Sequence, residues 1–121
     1  MHLFFVGLGG IIGTFLRSSI SHIIPYNGGF PIATFCINII GSILLAIYLA
    51  SSYSKNEKLK LFLATGLLSS FTTFSSFSYE TMTLIQNDQL YTALLYVGGS
   101  VLASMFVCII IYFKMKGMKP I

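Results

Sequence analysis

Between Met1 and Ser54 the chain carries a single Lys, Arg, Asp or Glu, Arg17. A water-soluble domain averages about one charged residue in four. A stretch this long with one charge belongs in a different solvent. The whole chain follows suit: of 121 residues, 55% are hydrophobic and 8% charged. These figures define an integral membrane protein, too short for two domains and read as a single domain over residues 1–121.

A helix crosses the hydrocarbon with about 20 apolar residues at 1.5 Å each. Four segments meet that length, at about 3–24, 31–50, 59–85 and 90–113. Pro25 and the turn-rich Tyr26-Asn27-Gly28-Gly29 end the first, and Pro31 suits the first turn of the second. The first segment lacks a basic leader and stays apolar too long for a cleavable signal peptide, so it reads as a retained span. Short loops make neighbouring spans antiparallel. The expected fold is all-α, with four transmembrane helices.

Six lysines set the orientation. Lys55, Lys58 and Lys60 lie between spans two and three, and Lys114, Lys116 and Lys119 follow span four. The other two loops hold none. By the positive-inside rule, both termini face the cytoplasm. The net charge of +4 comes from these lysines and carries no nucleic-acid signature. Cys36 and Cys108 fall inside apolar segments, without disulfide or metal spacing, and read as small hydrophobes. Gly9 and Gly13 form a GxxxG pair in span one, and Gly98, Gly99 and Ala103 supply a similar small-residue face in span four.

The third segment is unusual. Residues 69–78, at its centre, read Ser-Ser-Phe-Thr-Thr-Phe-Ser-Ser-Phe-Ser, seven hydroxyls and three phenylalanines. Polar groups at that depth are costly unless partnered or lining a wet cavity. The run suggests a helix broken at its centre. Two more polar stripes accompany it: Thr34, Asn38 and Ser42 recur every four residues in span two, and Tyr96, Ser100 and Ser104 do so in span four. Arg17 and Glu80 are the intramembrane charges. Each hydroxyl alone could bond its own helix, but three stripes on three helices point to a pathway. The donors are amide N–H and hydroxyl groups, together with ring edges, which carry partial positive charge. Asn38, the hydroxyl track through Ser75, and the edges of Phe74 and Phe77 therefore suit a small, strongly hydrated anion.

Three blocks carry a resemblance. They are Gly9-Gly10-Ile11-Ile12-Gly13 followed by Arg17, Ala33-Thr34-Phe35-Cys36-Ile37-Asn38-Ile39-Ile40-Gly41-Ser42, and Phe71-Thr72-Thr73-Phe74-Ser75-Ser76-Phe77-Ser78-Tyr79-Glu80. In order and spacing they resemble the Fluc fluoride channels, also called CrcB. The resemblance implies an antiparallel dimer with two pores that exports fluoride passively across the plasma membrane and protects the cell from it. It places the pore asparagine at Asn38, a threonine at Thr34, the ring-edge pair at Phe74 and Phe77, and the track at Tyr96, Ser100 and Ser104. Glu80 and Arg17 match the third-helix glutamate and the first-helix arginine. It also implies a structural sodium ion at the dimer centre, held by backbone carbonyls at positions matching Ser69 and Thr72. Ser69-Ser70 stands where the family usually has two glycines, and Phe71 where an aliphatic residue is common.

Such a channel catalyses no reaction. Its partners are lipid and a second subunit, either a copy of itself or an oppositely oriented paralogue; the lysine bias favours the paralogue. The rival reading, a small proton-coupled multidrug exporter of four helices, needs a carboxylate in the first span, which has none. A non-transporting scaffold would have no need of the polar stripes.

Overall fold

The computed structural model describes residues 2–51 and 55–117. Lys119 and part of the lysine-bearing loop lie outside them. The described residues contain helices and no strand: α1 (His2–Ile23), α2 (Ile32–Ala50), α3 (Glu57–Lys60), a π-helical segment (Leu61–Leu68), α4 (Ser69–Phe71), α5 (Ser75–Gln86) and α6 (Leu90–Lys116). Four stretches are long and apolar enough to cross a membrane: His2–Ile23, Ile32–Ala50, Glu57–Gln86 and Leu90–Lys116.

Local chemistry sets the ends. After α1, the Gly29 N–H donates to Asn27 Oδ1 at 3.2 Å in an Asx turn. Gly28 takes φ +87, which a side chain would oppose. Pro31 precedes α2 as its cap, just outside the first turn where the sequence suggests it. Asn56 caps α3 by accepting the Leu59 N–H at 3.1 Å. Asp88 turns the chain between α5 and α6 with φ 59, and its short polar side chain tolerates that region. Gln89 then donates from Nε2 to the Gly28 carbonyl at 3.1 Å and joins the two lysine-free connections. α6 runs past the expected residue 113 to Lys116, where Gly117 stops it at φ 69.

Packing follows the small residues of span one. α1 lies along the π-helical segment and α4, while α2 and α5 pack on α6. A Cβ on Gly13 would collide with the Leu67 carbonyl, and one on Gly9 with the Phe62 carbonyl. One on Gly66 would lie 2.6 Å from the Val6 carbonyl oxygen. The two backbones therefore touch through three glycines, the close approach that GxxxG permits. Gly98 behaves otherwise. A Cβ there meets nothing within 4 Å, and at Gly99 only the Phe35 ring at 3.7 Å. Within one chain these two do not let a neighbouring backbone approach, because α6 packs on α2 through other positions.

Few residues are buried: Ile37, Ala46, Tyr48, Leu68 and Phe71, and a cluster of Leu84, Ala93 and Tyr96 with Phe30, Phe35 and Phe77 packed around it. Phe4, Ile11, Phe15, Leu94, Leu102 and Phe106 are exposed. For a protein dissolved in lipid this costs little, since acyl chains are as apolar as these side chains.

The glycine contact gives a direct test. Gly13→Val puts a branched side chain against backbone that cannot yield, and should destabilise the protein by about 1–3 kcal/mol. Gly7→Ala, with nothing within 4 Å of the added carbon, should leave stability unchanged or slightly raised. Thermal unfolding of both in detergent decides it, and equal melting would refute the contact.

Candidate functional site

Helical backbone stops at Phe71 and resumes at Ser75, with Thr72 extended at φ −76, ψ 156. Three residues of non-helical peptide would be costly in hydrocarbon. The side chain of Asn38, on the facing turn of α2, meets that need. Its Oδ1 accepts the Thr73 N–H at 3.0 Å, and its Nδ2 donates to the Thr73 carbonyl at 3.2 Å. One carboxamide thus stands in for a neighbouring strand. Of its two amide N–H groups one is used, which leaves one donor. Gly41, one turn along, gives Thr72 room: a Cβ there would collide with the Thr72 methyl.

The hydroxyls of the run divide the remaining work. Thr72 Oγ1 donates to the Leu68 carbonyl at 2.9 Å, where its own N–H also goes at 3.0 Å. Thr73 Oγ1 accepts the Ser76 N–H at 3.2 Å and lies 3.3 Å from Ser75 Oγ. In an unbroken helix the Thr73 N–H would close on the Ser69 carbonyl and the Ser76 N–H on the Thr72 carbonyl. Both N–H groups donate elsewhere, so these two carbonyls have lost their helical partners.

A groove of about 430 Å³ opens between α2, these residues and α6. Asn38, Ser42, Ser69, Thr72, Phe74, Phe77, Ser100 and Ser104 line it, along with Thr73, Gly41, Leu45, Leu68 and Val101. Ser42 is spent on its own helix, donating to the Asn38 carbonyl at 2.9 Å. Ser100 Oγ is buried and has no hydrogen-bond partner among the described residues. The rings of Phe74 and Phe77 stack at 5.9 Å and 28°. Phe74 is 78% exposed, whereas Phe71 is 4% exposed and packs inside. No lysine or arginine lines the groove.

Thr34 and Glu80 fall outside it. They line a second cavity of about 90 Å³ beneath Pro25, Tyr26 and Asn27. Thr34 Oγ1 donates to Glu80 Oε1 at 2.8 Å, and the Tyr96 hydroxyl donates to Oε2 at 3.0 Å. Desolvation, and then the Glu80 carboxylate, raise the pKa of the Tyr26 hydroxyl above its ordinary value. Tyr96, expected in the same track as Ser100 and Ser104, lines neither cavity: its hydroxyl holds Glu80 while its ring lies 5.0 Å from that of Phe77. Phe30 packs edge-on to it at 5.5 Å. Ser75 contacts Thr73 but does not line the groove. Arg17 lines neither cavity, and its Nε is buried without a partner among the described residues.

The groove thus gathers an amide, hydroxyls and two phenyl rings, and no lysine or arginine lines it. Among the described residues, no group of three or more His, Cys, Asp or Glu could hold a metal through side chains. The CrcB-like protein family, also described as Camphor Resistance, matches residues 4–112. The chain belongs to the CrcB-like family. Among its relatives, a protein from Campylobacter fetus subsp. fetus is 40% identical over 112 residues, covering 88% of this chain and 87% of its own. One from Thermus thermophilus is 39% identical over 111 residues, covering 88% and 89%. One from Oceanobacillus iheyensis is 46% identical over 101 residues, covering 79% and 77%. Each of the three is named a fluoride-specific ion channel FluC.

In this CrcB-like chain the sequence candidates omit Thr73, the main-chain partner of Asn38, and Phe30 and Phe35, which enclose Tyr96. Thr73 sits inside the quoted motif, but a backbone contact leaves no residue-type signature. The two phenylalanines flank Pro31 and read as ordinary apolar positions.

The amide clamp is testable by Asn38→Asp. The carboxylate still accepts from the Thr73 N–H but sets oxygen against the Thr73 carbonyl. Losing that bond in a buried setting should destabilise the protein by about 1–3 kcal/mol. An Asn38→Asp variant that melts with the wild type would remove the clamp from the account.

Proposed function

We propose that the chain is a fluoride-selective channel that lets fluoride leave the cell passively. The observation that carries this reading is the groove at Asn38: it combines an unpartnered Ser100 hydroxyl, a remaining Asn38 N–H and two phenyl rings, and it holds no cation. Fluoride has a high dehydration cost and is repaid only by close donors. A fixed cation would bind anions indiscriminately and release them slowly. Chloride, larger and more weakly hydrated, gains less from short hydroxyl and ring-edge contacts. The relatives' printed names support the same ion. A negative-inside potential drives the anion outward with about 2.3 kcal/mol per charge per 100 mV. Ions move and no bond is made or broken.

The working unit in this proposal is an antiparallel dimer in the plasma membrane, with the third span acting as a broken helix. Two observations support a second subunit. Phe74 is 78% exposed although it borders the groove, and Gly98 meets nothing within its own chain. A partner would cover both. The carbonyls of Ser69 and Thr72, without their helical donors, fit a sodium ion at the dimer centre. Unwound backbone carbonyls are natural ligands for that hard cation, and serine in place of glycine leaves them available. Such an ion would screen the carbonyl dipoles facing each other across the interface. The charged rim sets the orientation. Lys55, Lys58, Lys60, Lys114 and Lys116 are exposed at the end of the bundle away from loop one. With so one-sided a count the chain inserts one way, cytoplasmic at both termini, and an antiparallel partner is an oppositely biased paralogue.

Liposomes holding the protein, alone or with that paralogue, should release fluoride far faster than chloride. Phe77→Ala should slow fluoride release by about tenfold or more, the factor that 1.4 kcal/mol commands, while Phe71→Leu should differ little from wild type. Fluoride and chloride electrodes read the two effluxes, and equal fluoride and chloride rates would sink the proposal. Orientation is checked separately by thiol labelling of single cysteines at Gly28 and Lys116 in a background free of Cys36 and Cys108. Labelling from outside should reach position 28 only; comparable labelling at both would show dual insertion and favour a homodimer.

A further inference from the structure

Thr73 is held at three points. Its N–H and carbonyl are clamped by Asn38 at 3.0 and 3.2 Å, and its hydroxyl accepts the Ser76 N–H at 3.2 Å. The first two contacts fix the peptide to α2. The third fixes α5 to that peptide. Among the described residues no other side chain caps α5: Phe74, at the formal cap position, makes no capping hydrogen bond. Nor can the backbone take over, because Thr72, whose carbonyl is the usual acceptor for Ser76, is extended at ψ 156. A hydroxyl three residues before the N–H it receives is the ordinary N-cap arrangement.

We propose that Thr73 is a positioning residue of the anion path: its hydroxyl caps α5 and so holds the edges of Phe74 and Phe77 at a fixed place relative to Asn38. The functional half rests on the fluoride reading above; the cap itself does not. Phe74 immediately follows Thr73, and Phe77 lies one residue beyond Ser76. A shift of the first turn of α5 therefore moves both rings while Asn38 stays with α2. Threonine suits the place because it accepts without charge; an aspartate would cap as well but would set a fixed negative charge beside an anion.

The test compares wild type with Thr73→Val, which keeps the shape and removes the acceptor, and Thr73→Ser, which restores the acceptor. Two readouts are taken on reconstituted protein: amide hydrogen exchange at Ser76, and fluoride and chloride efflux. In Thr73→Val the Ser76 amide should exchange about tenfold faster, fluoride efflux should fall about tenfold, and the preference for fluoride over chloride should shrink. Thr73→Ser should match wild type in all three. Wild-type exchange and efflux in an assembled Thr73→Val variant would overturn the proposal, and so would a Thr73→Ser variant as slow as Thr73→Val. If Thr73→Val does not assemble, Thr73→Ala removes the same acceptor and is judged by the same outcomes. A wild-type protein that moves no fluoride would defeat the conduction reading, and the exchange measurement would still decide the cap.

Discussion

One carboxamide holds this structure open. A chain in hydrocarbon cannot leave peptide groups bare, yet residues 72–74 leave the helix in the middle of a span. Asn38 makes that possible by offering Thr73 a donor and an acceptor at once. The rest follows from it. Once the Thr73 N–H is committed to Asn38, the Ser69 carbonyl has no helical donor. Once the chain turns at Thr72, the Ser76 N–H needs a new acceptor and finds the Thr73 hydroxyl. The groove lies where these departures occur.

Tyr96 touches a wall residue of each cavity without lining either. Its ring is fully buried between Phe30 and Phe77, and its hydroxyl ends on Glu80. The same residue thus supports, from behind, one wall residue of each cavity: Phe77 of the groove and Glu80 of the second pocket. Both Glu80 oxygens accept hydrogen bonds from within the protein. That contact partly satisfies a charge whose burial would otherwise be expensive. Arg17 has no such provision among the described residues. The fold explains its position beyond Gly13 on α1, but not its lack of a partner.

The spans were legible because apolar length, prolines and lysines are properties of residues. So was the Gly9/Gly13 contact, which depends on side-chain size. Gathering Asn38, Ser42, Phe74, Phe77, Ser100 and Ser104 into one groove was also within reach, since residues three or four apart share a helix face. Three features were not legible. The π-helical turn over Leu61–Leu68 has no periodicity of its own, as Leu61-Phe62-Leu63 is apolar on every face. Thr73 takes the Asn38 clamp through its backbone, which leaves no residue-type signature. The separation of Thr34 and Glu80 from the groove follows from a tertiary contact, the Thr34–Glu80 hydrogen bond between residues 46 positions apart. Spacing within one helix cannot report such a contact.

Phenylalanine recurs at every third position from 71 to 77, yet only the last two face the groove. Three residues along a continuous helix is about 300° of rotation, so a ladder with that spacing should drift slowly around one surface. It does not, because the non-helical residues lie between Phe71 and Phe74 and reset the angle. Everything before them is indexed to the glycines of α1, and everything after them to the aromatic cluster around Tyr96. The short connector therefore works as a clutch between two gears. The half that anchors the chain and the half that borders the groove keep separate angular registers. The packing against the α1 glycines sets the angle of one half, and the Asn38 clamp on Thr73 sets where the other half begins.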